Sequence, residues 1–267
     1  MKKTLLFIFS ALALSACAAK YSAEDFTIKE QKEATEELVD RVTGGRADEF
    51  SVVISPDQKD GKDWFLYHAQ DGRVVLEGNN GVSVASALGH YLKTHCGWHL
   101  SWCGSQQTLP QQLPLPDEKY EAVSPYKYRY YLNYCTFNYS MSWWDFERWQ
   151  QEIDFMALNG INMPLALTGQ NSVWQRVYRR LGFTDKELEG FFSGPAYFNW
   201  FWMGNLDGWG GPLPQSFMDD HEKLQKQILH AERSLGMTPV LPAFTGHVPP
   251  TFEQKFPEAK VRKTEWV

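Results

Sequence analysis

A nearly all-apolar run of five residues, Met163-Pro164-Leu165-Ala166-Leu167, lies between two stretches patterned as amphipathic helices. Such a run suits a strand covered on both faces, and both-face burial is the mark of a parallel sheet clothed by helices. On its N-terminal side, Phe146, Trp149, Ile153 and Met156 recur at helical spacing until Asn159-Gly160 stops the pattern. Ser142, with Asp145 three residues on, is the expected cap of that helix. On its C-terminal side, residues 172–181 read as helix. Ser216 with Asp219 then opens another, whose Phe217, Leu224, Ile228, Ala231 and Leu235 share one face.

Residues 128–135 and 238–244 supply the strands before and after. Strand, helix, strand, helix, strand with right-handed crossovers begins a parallel α/β barrel or a doubly wound sheet. No glycine-rich phosphate loop follows the first strand, which weighs against a nucleotide-binding sheet. Three strands cannot close a barrel of eight, so the 267 residues are expected to be the front end of a longer protein.

The preceding region has another rhythm. Residues 30–42 form a charged amphipathic helix ending at Gly44-Gly45; short strands follow at 50–54, 64–67 and 73–77, then a helix carrying Val84, Ala85, Leu88 and Tyr91. Residues 20–116 are therefore expected to be a small α/β domain. Residues 117–125, in a proline-rich stretch, form the linker to a barrel region spanning 126–267.

At the N-terminus, Lys2 and Lys3 precede an apolar run from Leu5 to Leu14, too short for a permanent span, and then Leu14-Ser15-Ala16-Cys17. Residues 1–17 read as a lipoprotein signal peptide with Cys17 as the lipidated residue. The expected destination is the outer membrane of a bacterium, held by a lipid anchor and facing the periplasm or the exterior. Cys96, Cys103 and Cys135 remain; an odd number cannot all pair, though a Cys96–Cys103 bridge and free thiols are both open. A net charge of −6 argues against nucleic acid as a partner.

Candidate chemistry is sparse. Asp145, Glu147, Glu152 and Asp154 fall on one helix, where Arg148 reaches Glu152 at i,i+4, and they read as a solvated face. His221-Glu222 lacks the second histidine of a zinc helix, because Gln225 stands there. His247, just past the third strand, is the best-placed acid/base candidate, although a satisfied structural histidine is the favoured reading of the position. Aromatic residues make up 15% of the chain, enough for flat binding surfaces as well as a core.

Longer stretches are more specific: Tyr128-Arg129-Tyr130-Tyr131-Leu132-Asn133-Tyr134-Cys135-Thr136, Trp143-Trp144-Asp145, Met156-Ala157-Leu158-Asn159-Gly160-Ile161-Asn162, Trp174-Gln175-Arg176-Val177-Tyr178 and Met203-Gly204-Asn205-Leu206. Together they resemble glycoside hydrolase family 89, the α-N-acetylglucosaminidases, from about residue 126 to 266. Residues 25–115, with Cys96-Gly97-Trp98-His99, resemble that family's small N-terminal domain. The resemblance implies an exo-acting retaining glycosidase for glycans ending in α-linked N-acetylglucosamine, with no metal or other cofactor. It also implies that both catalytic glutamates lie on later barrel strands, so that no catalytic residue is expected within this chain. By motif, Asn133 and Cys135 match positions lining the sugar pocket, Trp200 and Met203 match its aromatic wall, and Trp266 matches a further pocket tryptophan. A shortened, non-hydrolytic sugar-binding or decayed protein is the second reading.

Overall fold

A computed structural model describes residues 26–263. Cys17 and Trp266, with the signal segment, lie outside the described residues. The first unit opens with helix α1 (Ile28–Thr43), where Thr27 and Glu30 form a reciprocal capping box and Gly44 ends the helix in the left-handed region. Strands β1 (Phe50–Ile54), β2 (Trp64–Gln70) and β3 (Arg73–Gly78) follow. Asp71 and Gly72 both take positive φ, 51° and 76°, making the tight two-residue hairpin between β2 and β3 whose twist suits paired strands. Helix α2 (Gly81–His95) covers the sheet, capped by Asn80.

Strand β4 (Tyr120–Val123) lies inside the stretch expected as a linker and pairs antiparallel with β2, giving the order β1-β3-β2-β4 with β1 parallel to β3. Tyr120 and Val123, both exposed, suit an edge strand, and the prolines that suggested a linker, Pro110, Pro114, Pro116 and Pro125, lie on either side of it.

The second unit starts at β5 (Tyr130–Tyr131), followed by the short helix α3 (Tyr134–Ser140) and by α4 (Phe146–Leu158). The expected strand over 128–135 is therefore cut short. Asn133 turns the chain by capping α3, its Oδ1 accepting from the amide and hydroxyl of Thr136, both at 2.8 Å. Asp145, not Ser142, caps α4.

Strand β6 (Met163–Pro164) runs parallel to β5. Beyond it come α5 (Gln170–Arg180), α6 (Asp185–Glu189), α7 (Phe198–Phe201) and α8 (Gln215–Ser234). The third strand reduces to a parallel bridge between Leu165 and Val240, supported by Val240 N–H to Pro164 O at 2.7 Å and Ala166 N–H to Val240 O at 2.9 Å. Pro239 and Pro242 cannot donate, so a longer ladder is not available there. The last element is α9 (Phe252–Lys255).

The architecture is α/β: a small sheet domain followed by the opening strands and helices of a barrel. Its two parts pack closely. A Cβ on Gly89 in α2 would sit 2.6 Å from the carbonyl oxygen of Leu158 at the end of α4, so only glycine fits that crossing.

Candidate functional site

The loop running from α6 to α8 and the start of α3 meet on one face. Asn138 and Asn199 join them: the backbone N–H of Asn199 donates to Asn138 Oδ1 at 2.6 Å, and Asn199 Nδ2 donates to the carbonyl of Tyr134 at 3.3 Å. The Asn138 amide also reaches Ser142 Oγ at 3.0 Å. Asn199 is fully buried. Nothing in the sequence pattern singles out this pair, because its partners are some 60 residues apart.

The clasp brings two of the sequence-predicted residues into contact. Cys135, in the first turn of α3, places Sγ 3.8 Å from Sδ of Met203, just beyond α7. Trp200, on α7, is half-buried and meets the Tyr139 ring edge to face at 6.1 Å. Asn133 is exposed; its Oδ1 is used by the helix cap, whereas its Nδ2 makes no hydrogen bond within the described chain. Cys135 and Met203 thus join the start of α3 to the helix bearing Trp200, and all three side chains are at least partly exposed.

Aromatic packing fixes α7. Phe201 and Trp202 are buried, and Trp174 packs against both, at 5.4 and 4.8 Å. His247 lies in this cluster and not in an open site: burial pushes its imidazole down to about 4, so it is neutral near pH 7. His221 is structural too, its two ring nitrogens lying 2.9 and 3.1 Å from the carbonyl oxygens of Phe217 and Ser142.

Of the four acidic residues read as a solvated face, Asp145 and Glu147 are exposed, whereas Glu152 and Asp154 are not. Glu152 is 1% exposed and Asp154 6%. Glu152 Oε1 accepts from Tyr131 Oη and Trp102 Nε1, both at 3.2 Å, while Oε2 accepts from Arg148 at 3.1 Å. Asp154 takes two hydrogen bonds from Arg41 in α1, at 3.0 and 2.9 Å. These groups are committed to tying α4 to α1 through Arg41, to β5 through Tyr131 and to the loop bearing Trp102. Cys96, Cys103 and Cys135 are all free thiols. Among the described residues, no helix is long and apolar enough to cross a membrane.

Comparison with known proteins gives this geometry a context. Residues 129–267, just over half the chain, match the alpha-N-acetylglucosaminidase (NAGLU) tim-barrel domain, and residues 33–115 match the NAGLU N-terminal domain. The chain belongs to the alpha-N-acetylglucosaminidase family. It is 48% identical over 235 residues to the human alpha-N-acetylglucosaminidase, an alignment covering 86% of this chain and 32% of the human protein. The family 89 glycoside hydrolase of Clostridium perfringens, solved with 2-acetamido-1,2-dideoxynojirmycin, superposes with a TM-score of 0.82 at 38% identity, covering 87% of this chain and 27% of that one. A double glutamate-to-glutamine form of the clostridial enzyme, in complex with its substrate GlcNAc-alpha-1,4-galactose, gives the same TM-score and identity, with 26% of that chain covered. The chain thus spans about a third of its curated NAGLU relative and about a quarter of the solved family 89 structures.

Proposed function

We propose that this chain is the N-terminal portion of an exo-acting, retaining glycosidase that removes terminal α-linked N-acetylglucosamine from glycans, and that it contributes one wall of the sugar pocket. The observation that carries this is the contact of Cys135 with Met203, which joins the start of α3 to the helix bearing Trp200. A flat indole suits the apolar face of a pyranose, and the uncommitted Nδ2 of Asn133 suits a sugar hydroxyl or an acetamido carbonyl as acceptor. Retention calls for two carboxylates about 5 Å apart, one the nucleophile and one the acid/base. The buried Glu152 and Asp154 are tied up in structural hydrogen bonds, and the family resemblance implies that both catalytic carboxylates lie on later barrel strands. Export as a lipoprotein through Cys17, to the outer membrane, would bring such an enzyme to glycans outside the cytoplasm.

The test is to express the complete reading frame and follow hydrolysis of 4-nitrophenyl α-N-acetylglucosaminide by proton NMR. The α-anomer of free N-acetylglucosamine should appear first. First appearance of the β-anomer excludes retention, and no release at all excludes the activity.

A further inference from the structure

His247 is the one strongly polar ring inside the aromatic cluster behind the wall. Its centroid lies 4.3 Å from that of Phe201, met edge to face at 72°, and 5.0 and 5.5 Å from those of Trp174 and Phe191. The side chain is 13% exposed. Phe201 directly follows Trp200, and Met203 is two residues further, so the imidazole bears on the short helix that carries the wall.

The loop holding His247 is itself fixed. Tyr178 donates its hydroxyl to the His247 carbonyl at 3.1 Å, and Thr245 Oγ1 contacts Nδ1. On the other side, Nε2 lies 3.7 Å from Asp207 Oδ1, beyond direct hydrogen-bond range, and has no hydrogen-bond partner among the described residues. The ring thus packs on helix α5 through Trp174, on the loop between α6 and α7 through Phe191 and on α7 through Phe201, with Asp207 of the loop beyond α7 close by.

We propose that His247 is a positioning residue of the sugar pocket, a wedge from the loop after the third strand that sets the placement of Trp200 and Met203. The inference rests on the pocket reading above and names a residue outside the wall on which that wall depends. A neutral imidazole packed among Phe201, Trp174 and Phe191 is placed to act through packing. Losing the wedge loosens a surface that meets the sugar alike in the ground and transition states, and the expected signature is in KM.

The experiment compares His247→Ala, His247→Gln and His247→Phe in the complete protein, after circular dichroism has established folding. It measures kcat and KM on 4-nitrophenyl α-N-acetylglucosaminide, together with the Kd of 2-acetamido-1,2-dideoxynojirmycin from tryptophan fluorescence. Alanine and glutamine should each raise KM and Kd about tenfold while kcat stays within about threefold, as expected for lost uniform binding. Phenylalanine, which keeps a ring in an aromatic site, should restore both constants to within about threefold of wild type by the same reasoning. The glutamine variant keeps a polar side chain and so decides the matter if the alanine protein does not fold. Unchanged KM and Kd in the folded variants overturn the proposal. So does a kcat loss of about 100-fold or more with one limb of the pH profile missing and no rescue by phenylalanine, which is the behaviour of an acid/base group. A wild type that neither binds the iminosugar nor releases nitrophenol overturns the pocket reading instead, and this inference falls with it.

Discussion

Arg129 and Asp63 tie the barrel segment to the N-terminal domain through an ion pair of 2.5 Å, with both side chains largely buried. Asp63 is crowded with donors: Asn79 at 2.9 Å and Asn80 at 3.2 Å on one oxygen, and Asn162, from the turn before β6, on the other at 3.4 Å. Burial alone would raise this carboxyl, but the hydrogen bonds from Arg129 and Asn79 outweigh it and hold it below the usual range. A depressed carboxyl stabilises the fold above its unfolded value near 3.8, and that stabilisation disappears as pH falls through the lower folded value. Asp63→Ala should cost about 3 to 5 kcal/mol, because it strands the buried Arg129 guanidinium. Urea titrations at pH 7 and pH 3 check this: the deficit should be large at pH 7 and shrink at pH 3.

Glu232 has the opposite sign. It is fully buried in α8, neither carboxyl oxygen has a hydrogen-bond partner among the described residues, and it faces a cavity of about 10 Å³ shared with Glu152 and Tyr131. Desolvation pushes it well above 4.5 despite the nearby Arg233. A raised carboxyl favours the folded state most below 4.5, and the benefit is lost as pH rises toward the folded value. Glu232→Gln should leave stability near pH 4 unchanged and raise it at pH 7. Thermal melts across pH 4 to 8 should show a flatter profile for the variant; parallel profiles would contradict the burial of an unpaired carboxyl.

The balance of what could be read from the sequence follows from how local each cause is. The Asp71-Gly72 hairpin and the Gly44 stop are decided by residues in immediate succession, and the structure has both where the turn chemistry puts them. The stretch at 128–135 reads as strand because its tyrosines and leucine favour extended chain, yet Asn133 with Thr136 three residues on carries a helix-cap signal that wins. Glu152 and Asp154 escaped because their partners are remote: Trp102 is 50 residues away and Arg41 is 113. An i,i+4 pair such as Arg148–Glu152 looks the same in sequence whether it faces water or a buried tryptophan. His247 escaped for the same reason, since the rings that enclose it come from α5, α7 and the loop between α6 and α7.

Trp200 on α7 should stack on the sugar. In the complete enzyme, Trp200→Ala should lower kcat/KM by about 10- to 100-fold, or roughly 1 to 3 kcal/mol, if aromatic stacking on a base is a fair guide to stacking on a sugar face. Unaltered kinetics in a protein with a lowered melting temperature would make Trp200 a packing residue.

Cys17, outside the described residues, should carry the lipid. Cys17→Ser should leave the unprocessed precursor and abolish labelling by an alkynyl palmitate analogue in growing cells. Retained labelling would remove the lipoprotein reading and, with it, the proposed outer-membrane address.

A polypeptide of residues 1–267 alone should not hydrolyse an aryl α-N-acetylglucosaminide. General acid catalysis and a glycosyl-enzyme intermediate each need a positioned carboxyl group. Glu152 and Asp154 are buried in structural hydrogen bonds, and Glu232 is fully buried. The strand edges are also uncovered: Tyr130, Leu241 and Phe244 are 50, 56 and 67% exposed, on segments whose neighbours in a closed barrel would shield them. Purified without its signal, the polypeptide should associate on size exclusion, and its release of nitrophenol should match that of a full-length protein disabled in its catalytic glutamates. Turnover well above that background by a soluble monomer would return the catalytic role to groups within this segment, with Asp207 and His247 the first to be substituted.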